Sequence, residues 1–234
     1  MKELIPGVNE AESEGNLLFA EWQEKLSNAN RYMEERSRFD GALIEVAAQH
    51  PLVEGKRPNS EFSARLDAAY NLYVELRNRN VGPVKIYVPG SIHMMDGVCD
   101  EVSLSSAGCT YLIELGVPQE DLFGDEENLK YKGSLGVYNS SDECYVASCL
   151  FKEEAFGEFH CVCSPAQLLR KALSYISFGC LPLMHSVPCK EMFHSYVDEA
   201  FLYIPRLLAD ASGLQGEDSA EANRLRELRK PKTT

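Results

Sequence analysis

The sequence lacks any apolar run of the roughly 18 residues that a membrane-spanning helix needs. Its first residues, MKELIPGVNEAESEGN, contain neither the basic segment nor the apolar core of a secretory signal peptide. Basic residues are also scarce, because 23 Lys and Arg face 36 Asp and Glu and leave a formal net charge of −13. Nucleic acids and anionic membrane surfaces are bound through clustered Lys and Arg. We therefore expect a soluble, cytoplasmic protein that neither binds nucleic acid nor inserts into a membrane.

Three short motifs that would point to a particular function are missing as well. They are the G-x-G-x-x-G fingerprint of dinucleotide-binding folds, the P-loop G-x-x-x-x-G-K-[ST] and the nucleophile elbow G-x-S-x-G. Their absence disfavours NAD-type dehydrogenases, P-loop NTPases and α/β-hydrolases.

Eight cysteines are scattered over the chain, and without a signal segment they are typical of reduced intracellular thiols. Cys161 and Cys163 flank a single valine, so in a strand their side chains share one face. Zinc-binding pairs usually have two to four intervening residues, and buried strand cysteines are therefore favoured. Cys163 also lies where a strand meets a helix N-terminus, which lowers a thiol pKa, so a nucleophilic Cys163 stays an alternative.

What is present is an alternation of short apolar runs and helical patterns. Residues 1–40 predict an N-terminal helical cap interrupted near Ser27-Asn28, residues 41–190 an α/β domain, and residues 191–234 a helix (Met192–Ala211) with a polar tail. The apolar runs predict strands at 41–48, 84–88, around 123, 159–163 and 180–185, the last at a sheet edge because of Pro182. Helices are expected at 60–76, 101–115, 141–154 and 164–178, and residues 124–140 are expected to form a long loop.

The alternation predicts an α/β fold, namely a Rossmann-like three-layer sandwich with a mainly parallel sheet of about five strands and helices on both faces. Ser60 is expected to cap the first helix of this domain, and Gly116 to end the second. In such sheets ligands bind outside the carboxyl ends of the strands. The loops that follow the strands are therefore expected to converge on one ligand-binding rim.

The segment of this rim with the most candidate ligand-binding features begins at Ser164. Ser164 and Pro165 form a favourable helix start, whose free N–H groups attract an anion. Gln167 lies in the same first turn, and Arg170 follows about one turn later, where a guanidinium can bind phosphate or carboxylate. A capped helix that carries a surface arginine fits the same spacing equally well.

Five short segments follow one another in a recognisable order between residues 40 and 186. They are Ala64-Arg65-Leu66-Asp67-Ala68-Ala69, Pro89-Gly90-Ser91, Glu101 with Leu112-Ile-Glu-Leu-Gly-Val-Pro118, Asn139-Ser-Ser-Asp-Glu-Cys144, and Ser164-Pro-Ala-Gln-Leu-Leu-Arg170. In this order they resemble the DUF218 family, also called the YdcF-like, SanA-like or ElyC-like proteins. The chain departs from that family where Gly90-Ser91 replaces a glycine pair and Gln167 replaces a histidine.

The resemblance implies a Rossmann-like fold and a cleft for a nucleotide-like or phosphorylated small molecule. S-adenosylmethionine is the named candidate cofactor, because one relative is linked to its binding. Group transfer or hydrolysis is the expected chemistry, no metal is expected, and a homo-oligomer stays open. The expected ligand-binding residues are Arg65, Gly90, Ser91, Asn139, Ser141, Ser164, Gln167 and Arg170. The expected acid/base groups are His93, Glu101 and Glu143, with His93 in a loop and an unperturbed pKa of about 6.5.

Several alternatives stay open at this stage. Loss of the family histidine at Gln167 also fits a non-catalytic binding or regulatory protein, and a scaffold subunit is a third class. The carboxylate run at Asp125 is typical of a solvated loop, although an acidic residue there also fits ribose-hydroxyl recognition. The stretch from His93 to Glu101 holds metal-ligating residue types at a spacing that fits no standard metal motif, and His185 and His194 are interpreted as structural.

Overall fold

The computed structural model of the chain describes residues 8–95 and 98–189, together with the isolated positions 200, 204 and 227. Its strands are β1 (Ala42–Val46), β2 (Val84–Tyr87), β3 (Met94–Met95), β4 (Val98–Cys99), β5 (Leu122–Phe123), β6 (Glu158–Cys163) and β7 (Leu183–Ser186). Its helices are α1 (Val8–Arg36), α2 (Ser60–Asn78), α3 (Leu104–Glu114), α4 (Asp125–Lys132), α5 (Ser140–Glu153) and α6 (Leu168–Ser177). The helix expected from Met192 to Ala211 and the polar tail lie outside the described residues.

Five strands form one parallel sheet in the order β5–β2–β1–β6–β7. β1 lies at its centre, and all five of its residues are buried. A short, nearly continuous apolar run is typical of a strand covered on both faces, which explains why ALIEV forms this strand. The expected Rossmann-like α/β fold is confirmed, and β7 lies at the edge as Pro182 predicted. β3 and β4 form a separate antiparallel hairpin that the sequence did not predict.

The two faces of the sheet carry two hydrophobic cores. Ala42, Ile44 and Val46 pack with residues of α2 and α3 on one face. Leu43 and Ala47 pack with α5 and α6 on the other, where Tyr32 of α1 joins them. Because strand side chains alternate between faces, β1 contributes to both cores, and the three layers follow directly from its sequence.

The prediction of a long loop at 124–140 is wrong, because α4 occupies the first half of this segment. Glu127 accepts a 2.5 Å hydrogen bond from the backbone N–H of Gly124, the residue that precedes the helix. Acidic residues fill the first turn of α4 and Lys130 and Lys132 the last, which complements the helix dipole. The glycines and charges that indicated a loop are thus the start and end signals of a short helix.

Three details of the helices α1, α2 and α3 also differ from expectation. Asn59, rather than Ser60, caps α2 by accepting a hydrogen bond from the N–H of Phe62. The helix expected from Glu101 begins at Leu104, because Ser103 supplies its cap. α1 continues through Ser27-Asn28 without interruption. Within the described residues, no helix combines the length and the apolar character that crossing a membrane requires.

Candidate functional site

A cleft of about 580 Å³ opens where β2 and β5 end. Its size falls within the range of small-molecule sites. The lining residues come from the segment after β2, from the start of α3 and from the region between β5 and α5. They are Ser91, Ile92, Val102, Ser103, Ser106, Asp125, Asn128, Leu129, Gly133, Gly136 and Tyr138. The cleft therefore lies at the carboxyl ends of the strands, where the fold predicts a ligand.

Two helix starts meet at one side of the cleft. The Ser103 hydroxyl accepts a 2.8 Å hydrogen bond from the N–H of Ser106 and so caps α3. The same hydroxyl donates a 2.7 Å hydrogen bond to Oδ2 of Asp125, the first residue of α4. Asp125 is exposed, so its carboxylate is both accessible from the cleft and fixed in direction by Ser103.

Asn128 lies one helical turn further along α4 and is buried. Its Oδ1 accepts a 2.6 Å hydrogen bond from the Tyr87 hydroxyl, whereas its amide nitrogen has no hydrogen-bond partner among the described residues. Burial, followed by the nearby carboxylates of Glu143 and Glu45, raises the pKa of Tyr87 well above its usual value. The Tyr87 hydroxyl is therefore a permanent donor, which fixes the orientation of the Asn128 amide.

The opposite side of the cleft is formed by two loops that are bonded to each other. Ser91 and Val137 exchange hydrogen bonds, from the Ser91 N–H to the Val137 carbonyl and from the Val137 N–H to the Ser91 hydroxyl, both 2.9 Å long. Gly90 precedes Ser91 with a φ of +108°, and a β-carbon there would lie only 2.8 Å from Cβ of Leu104. Only glycine fits this turn without strain, which explains the residue that the sequence singled out.

His93 lies behind this wall rather than in the cleft lining. Its Nδ1 is 2.8 Å from the Ser91 carbonyl, its Nε2 is 3.3 Å from the Tyr138 carbonyl, and its ring stacks 5.7 Å from that of His50. Nε2 of His50 lies 3.2 Å from Oδ2 of Asp100. Burial raises the pKa of Asp100 to about 6, against the lowering effect of a hydrogen bond from the Leu52 N–H.

Three expected ligand-binding residues instead lie beyond the carboxyl ends of the neighbouring strands β1 and β6, where the strand order reverses. Arg65 is fully buried, forms an ion pair with Glu61 and donates a 2.7 Å hydrogen bond to the Ala47 carbonyl. The Ser164 hydroxyl donates a 3.2 Å hydrogen bond to Oε1 of Gln167, and both residues are buried. Ser164 therefore does not cap a helix through its side chain.

A buried ionic cluster lies beneath this region. Nζ of Lys171 on α6 is 2.6 Å from Oε1 of Glu45 and 2.5 Å from Oε2 of Glu143. The Cys161 thiol donates a 2.7 Å hydrogen bond to the other oxygen of Glu45. Glu143, expected to be an acid/base group, is thus paired with a buried lysine. The sequence pattern did not reveal Glu45 and Lys171 as partners, because they lie 126 residues apart in the chain.

The remaining expected residues are spread over the rim. Glu101 is exposed and lies 2.8 Å from Lys56 in a surface ion pair. Asn139, expected to bind the ligand, caps α5 through Oδ1, which accepts hydrogen bonds from the N–H groups of Ser141 and Asp142. Arg170 is half-buried on α6. The structure thus brings Gly90, Ser91 and His93 to the cleft or its wall and places Glu101 elsewhere.

The Cys163 thiol is buried at the end of β6. A hydrogen bond with Cys161 lowers the pKa of Cys163, although burial opposes this effect. A thiolate needs access to react. The closed surroundings of Cys163 therefore do not favour the nucleophile hypothesis.

Sequence reasoning missed Ser103, Asn128 and Tyr138. Ser103 had a detectable signal, since a serine three residues before Ser106 and directly before an apolar helical run is a good N-cap. Asn128 and Tyr138 had none, because the helix that carries Asn128 was expected to be a loop.

No family model, curated protein or solved structure matches this chain. Within residues 8–95 and 98–189, no group of three or more His, Cys, Asp or Glu side chains is arranged to hold a metal ion.

Proposed function

We propose that this chain is a DUF218-like protein that binds a nucleotide-like small molecule in the cleft between α3 and α4, with S-adenosylmethionine as the named candidate. The observation that carries this proposal is the fixed carboxylate of Asp125. It lies at the carboxyl end of β5, opens to the cleft and is held by Ser103. Acidic residues that follow strands of such sheets bind ribose hydroxyls.

The charge of the cleft lining favours a ligand that is not recognised through a phosphate group. None of the described residues that line the cleft is a lysine or an arginine, and Asp125 gives the lining a negative charge. S-adenosylmethionine carries a ribose diol and a positive sulfonium centre, and both are compatible with a carboxylate. A phosphorylated ligand, which the sequence also suggested, would place its negative charge near Asp125 without a cationic partner in this lining.

The buried amide nitrogen of Asn128 supports the same class of ligand. It is a hydrogen-bond donor without a partner among the described residues, and such a group is costly to bury. A carbonyl or ring nitrogen of a nucleoside would satisfy it after a small local adjustment. Tyr138 supplies an aromatic surface on the opposite wall.

Group transfer or hydrolysis is the chemistry that the family resemblance implies, and His93 is the expected acid/base group nearest to the cleft. A second candidate function is ligand binding without catalysis. It is favoured by the pairing of the two expected catalytic carboxylates, Glu101 with Lys56 and Glu143 with Lys171. Incubation with S-adenosylmethionine and a metabolite extract, followed by mass spectrometry, separates the two functions, because only an enzyme consumes the ligand.

Isothermal titration of the full chain with S-adenosylmethionine, adenosine and inorganic phosphate tests the binding proposal. Asp125→Asn should weaken nucleoside binding about tenfold or more, because hydrogen bonds to a charged group contribute about 1.5–3 kcal/mol. Glu126→Gln is the matched control, since it removes the same charge from an exposed neighbour that does not line the cleft. Equal affinity in both variants, or binding of phosphate alone, would contradict the proposal.

A further inference from the structure

Two histidines on neighbouring strands face each other away from the cleft. His160 of β6 and His185 of β7 lie on the same face of the sheet, because His185 pairs in register with Val162, two residues after His160. Nδ1 of His160 lies 3.0 Å from Nε2 of His185, and the two ring centroids are 5.2 Å apart. The two rings thus direct one nitrogen each at the other, across a direct hydrogen bond.

The outer nitrogen of His160 is already held by a carboxylate. Nε2 of His160 lies 3.2 Å from Oε2 of Glu158, and the other oxygen of Glu158 accepts a 3.0 Å hydrogen bond from Arg79. A carboxylate on the far nitrogen fixes the proton there, which leaves Nδ1 of His160 with its lone pair directed at His185. Metal-ligating histidines carry this kind of carboxylate partner.

We propose that His160 Nδ1 and His185 Nε2 form a two-histidine site for a divalent transition-metal cation of the zinc, copper or nickel class. Two nitrogens, each about 2.0–2.1 Å from a tetrahedral zinc ion, lie roughly 3.3 Å apart. The observed separation of 3.0 Å is close to that value, and metal binding would replace the hydrogen bond as the two rings turn until both lone pairs meet at the ion. Imidazole nitrogen is a ligand that suits these cations, whereas magnesium and calcium prefer oxygen.

The surroundings keep both rings in the form that binds a metal. Burial lowers the pKa of His160, and the neighbouring His185 lowers it further. Burial also lowers the pKa of His185, against the opposing effect of Glu75 on α2. Both shifts favour the neutral ring, which is the form that binds a metal. Binding also requires that His185 carry its proton on Nδ1 instead of Nε2, with no net loss of a proton.

The other coordination positions are left to water, and the exposed carboxylate of Glu75 acts electrostatically on His185. Two protein ligands with an open remainder make a site of modest affinity. A site with two protein ligands is consistent with the absence, among the described residues, of any group of three His, Cys, Asp or Glu side chains arranged to hold a metal ion.

Titration of the reduced full chain with Zn²⁺, followed by long-range proton–nitrogen NMR spectra of the histidine rings, tests this site. The chain has five histidines. Zn²⁺ should shift the resonances of His160 Nδ1 and His185 Nε2. In His185→Gln the His160 shift and one equivalent of bound Zn²⁺ should disappear. Zinc bound by cysteines leaves both ring nitrogens unchanged, and that result, like no binding at all, would overturn the proposal.

Glu158→Gln provides a second variant that keeps both metal ligands. Loss of an outer carboxylate partner typically costs about 10–100-fold in metal affinity. We therefore expect Glu158→Gln to bind Zn²⁺ at least about tenfold more weakly than the unaltered chain. This test remains valid if His185→Gln fails to fold. Glu153→Gln, which alters an exposed carboxylate paired with Lys130, is the matched control and should bind like the unaltered chain. Equal affinity in both glutamine variants would count against the proposed geometry.

Discussion

The hydroxyl of Ser103 joins the starts of two helices, because it accepts a hydrogen bond from the N–H of Ser106 and donates one of 2.7 Å to Asp125. One side chain therefore both stabilises α3 and orients the carboxylate that we assign to the ligand. Ser103→Ala should lower the free energy of unfolding by about 1 kcal/mol, the usual cost of a lost N-cap. It should also weaken nucleoside binding, since Asp125 loses its orienting donor. Urea unfolding and calorimetric titration measure the two effects.

Ser103→Thr is the matched control for this prediction. Threonine retains the hydroxyl and caps helices almost as well as serine. Ser103→Thr should therefore retain most of the stability and the ligand affinity of the unaltered chain. If the alanine variant kept full affinity for a ligand that binds the unaltered chain, Ser103 would have no role in directing Asp125.

Lys171 should be important for stability, because its ammonium group is the buried counter-charge of Glu45 and Glu143. Lys171→Met would leave two buried carboxylates without their cation. We expect a loss of about 3–5 kcal/mol in the free energy of unfolding, as for other broken buried pairs. Lys130→Met breaks the exposed pair with Glu153 and should leave stability nearly unchanged. Similar denaturation midpoints for the two variants would contradict this role of Lys171.

Gly90 provides a test of the turn that positions Ser91. A β-carbon at Gly90 would meet Cβ of Leu104 at 2.8 Å, in addition to the strain of a positive φ. Gly116 has a similar φ of +102° but no atom within 4 Å of such a β-carbon. Gly90→Ala should therefore destabilise the protein more than Gly116→Ala, beyond the roughly 1–3 kcal/mol of backbone strain. Thermal unfolding of both variants measures the difference, and equal losses would show that the contact with Leu104 can relax.

Asp100 predicts a pH dependence of stability. Burial raises its pKa from 3.8 to about 6, so the folded protein binds this proton more tightly than the unfolded chain does. The contribution of Asp100 is therefore most favourable below about pH 4 and is lost as the pH rises to 6, with a slope of at most about 1.4 kcal/mol per pH unit. Above pH 6 the contribution should stay constant.

Asp100→Asn isolates this effect from the other titrating groups. The difference in unfolding free energy between the unaltered chain and the variant, measured by urea denaturation from pH 4 to pH 7, should shift against the unaltered chain as the pH rises to 6. A difference that does not change with pH, or one that changes in the opposite direction, would refute the raised pKa.

The sequence predicted the five-stranded sheet well, because its central strands are short apolar runs whose pattern follows from burial on both faces. β1 and β6 are the clearest examples, since nearly all their residues are buried. α4 was missed because it is short and polar, and its caps resemble loop chemistry. Local patterns of Gly, Glu and Lys do not distinguish a capped eight-residue helix from a loop.

The lining of the candidate cleft was anticipated only in part, for a different reason. Ser91 and the turn at Gly90 were singled out because a strand end and a turn are local features. Arg65 has the residue type that binds anions, but the fold directs its side chain inward to Glu61 and the Ala47 carbonyl. The i, i+4 spacing of Glu61 and Arg65 on α2 permits their ion pair, but the burial of that pair against the Ala47 carbonyl depends on how the fold packs α2 on β1.

We propose that the ligand binds between α3 and α4 rather than beside Ser164 and Arg170. Backbone proton–nitrogen NMR spectra recorded during titration with S-adenosylmethionine test the location directly. We expect the largest shifts at Ser91, Ser103, Asp125 and Tyr138, and we expect them to need at least about tenfold more ligand in Asp125→Asn but not in Glu126→Gln. Shifts centred on Ser164 and Arg170, or no shifts at a saturating concentration, would contradict it.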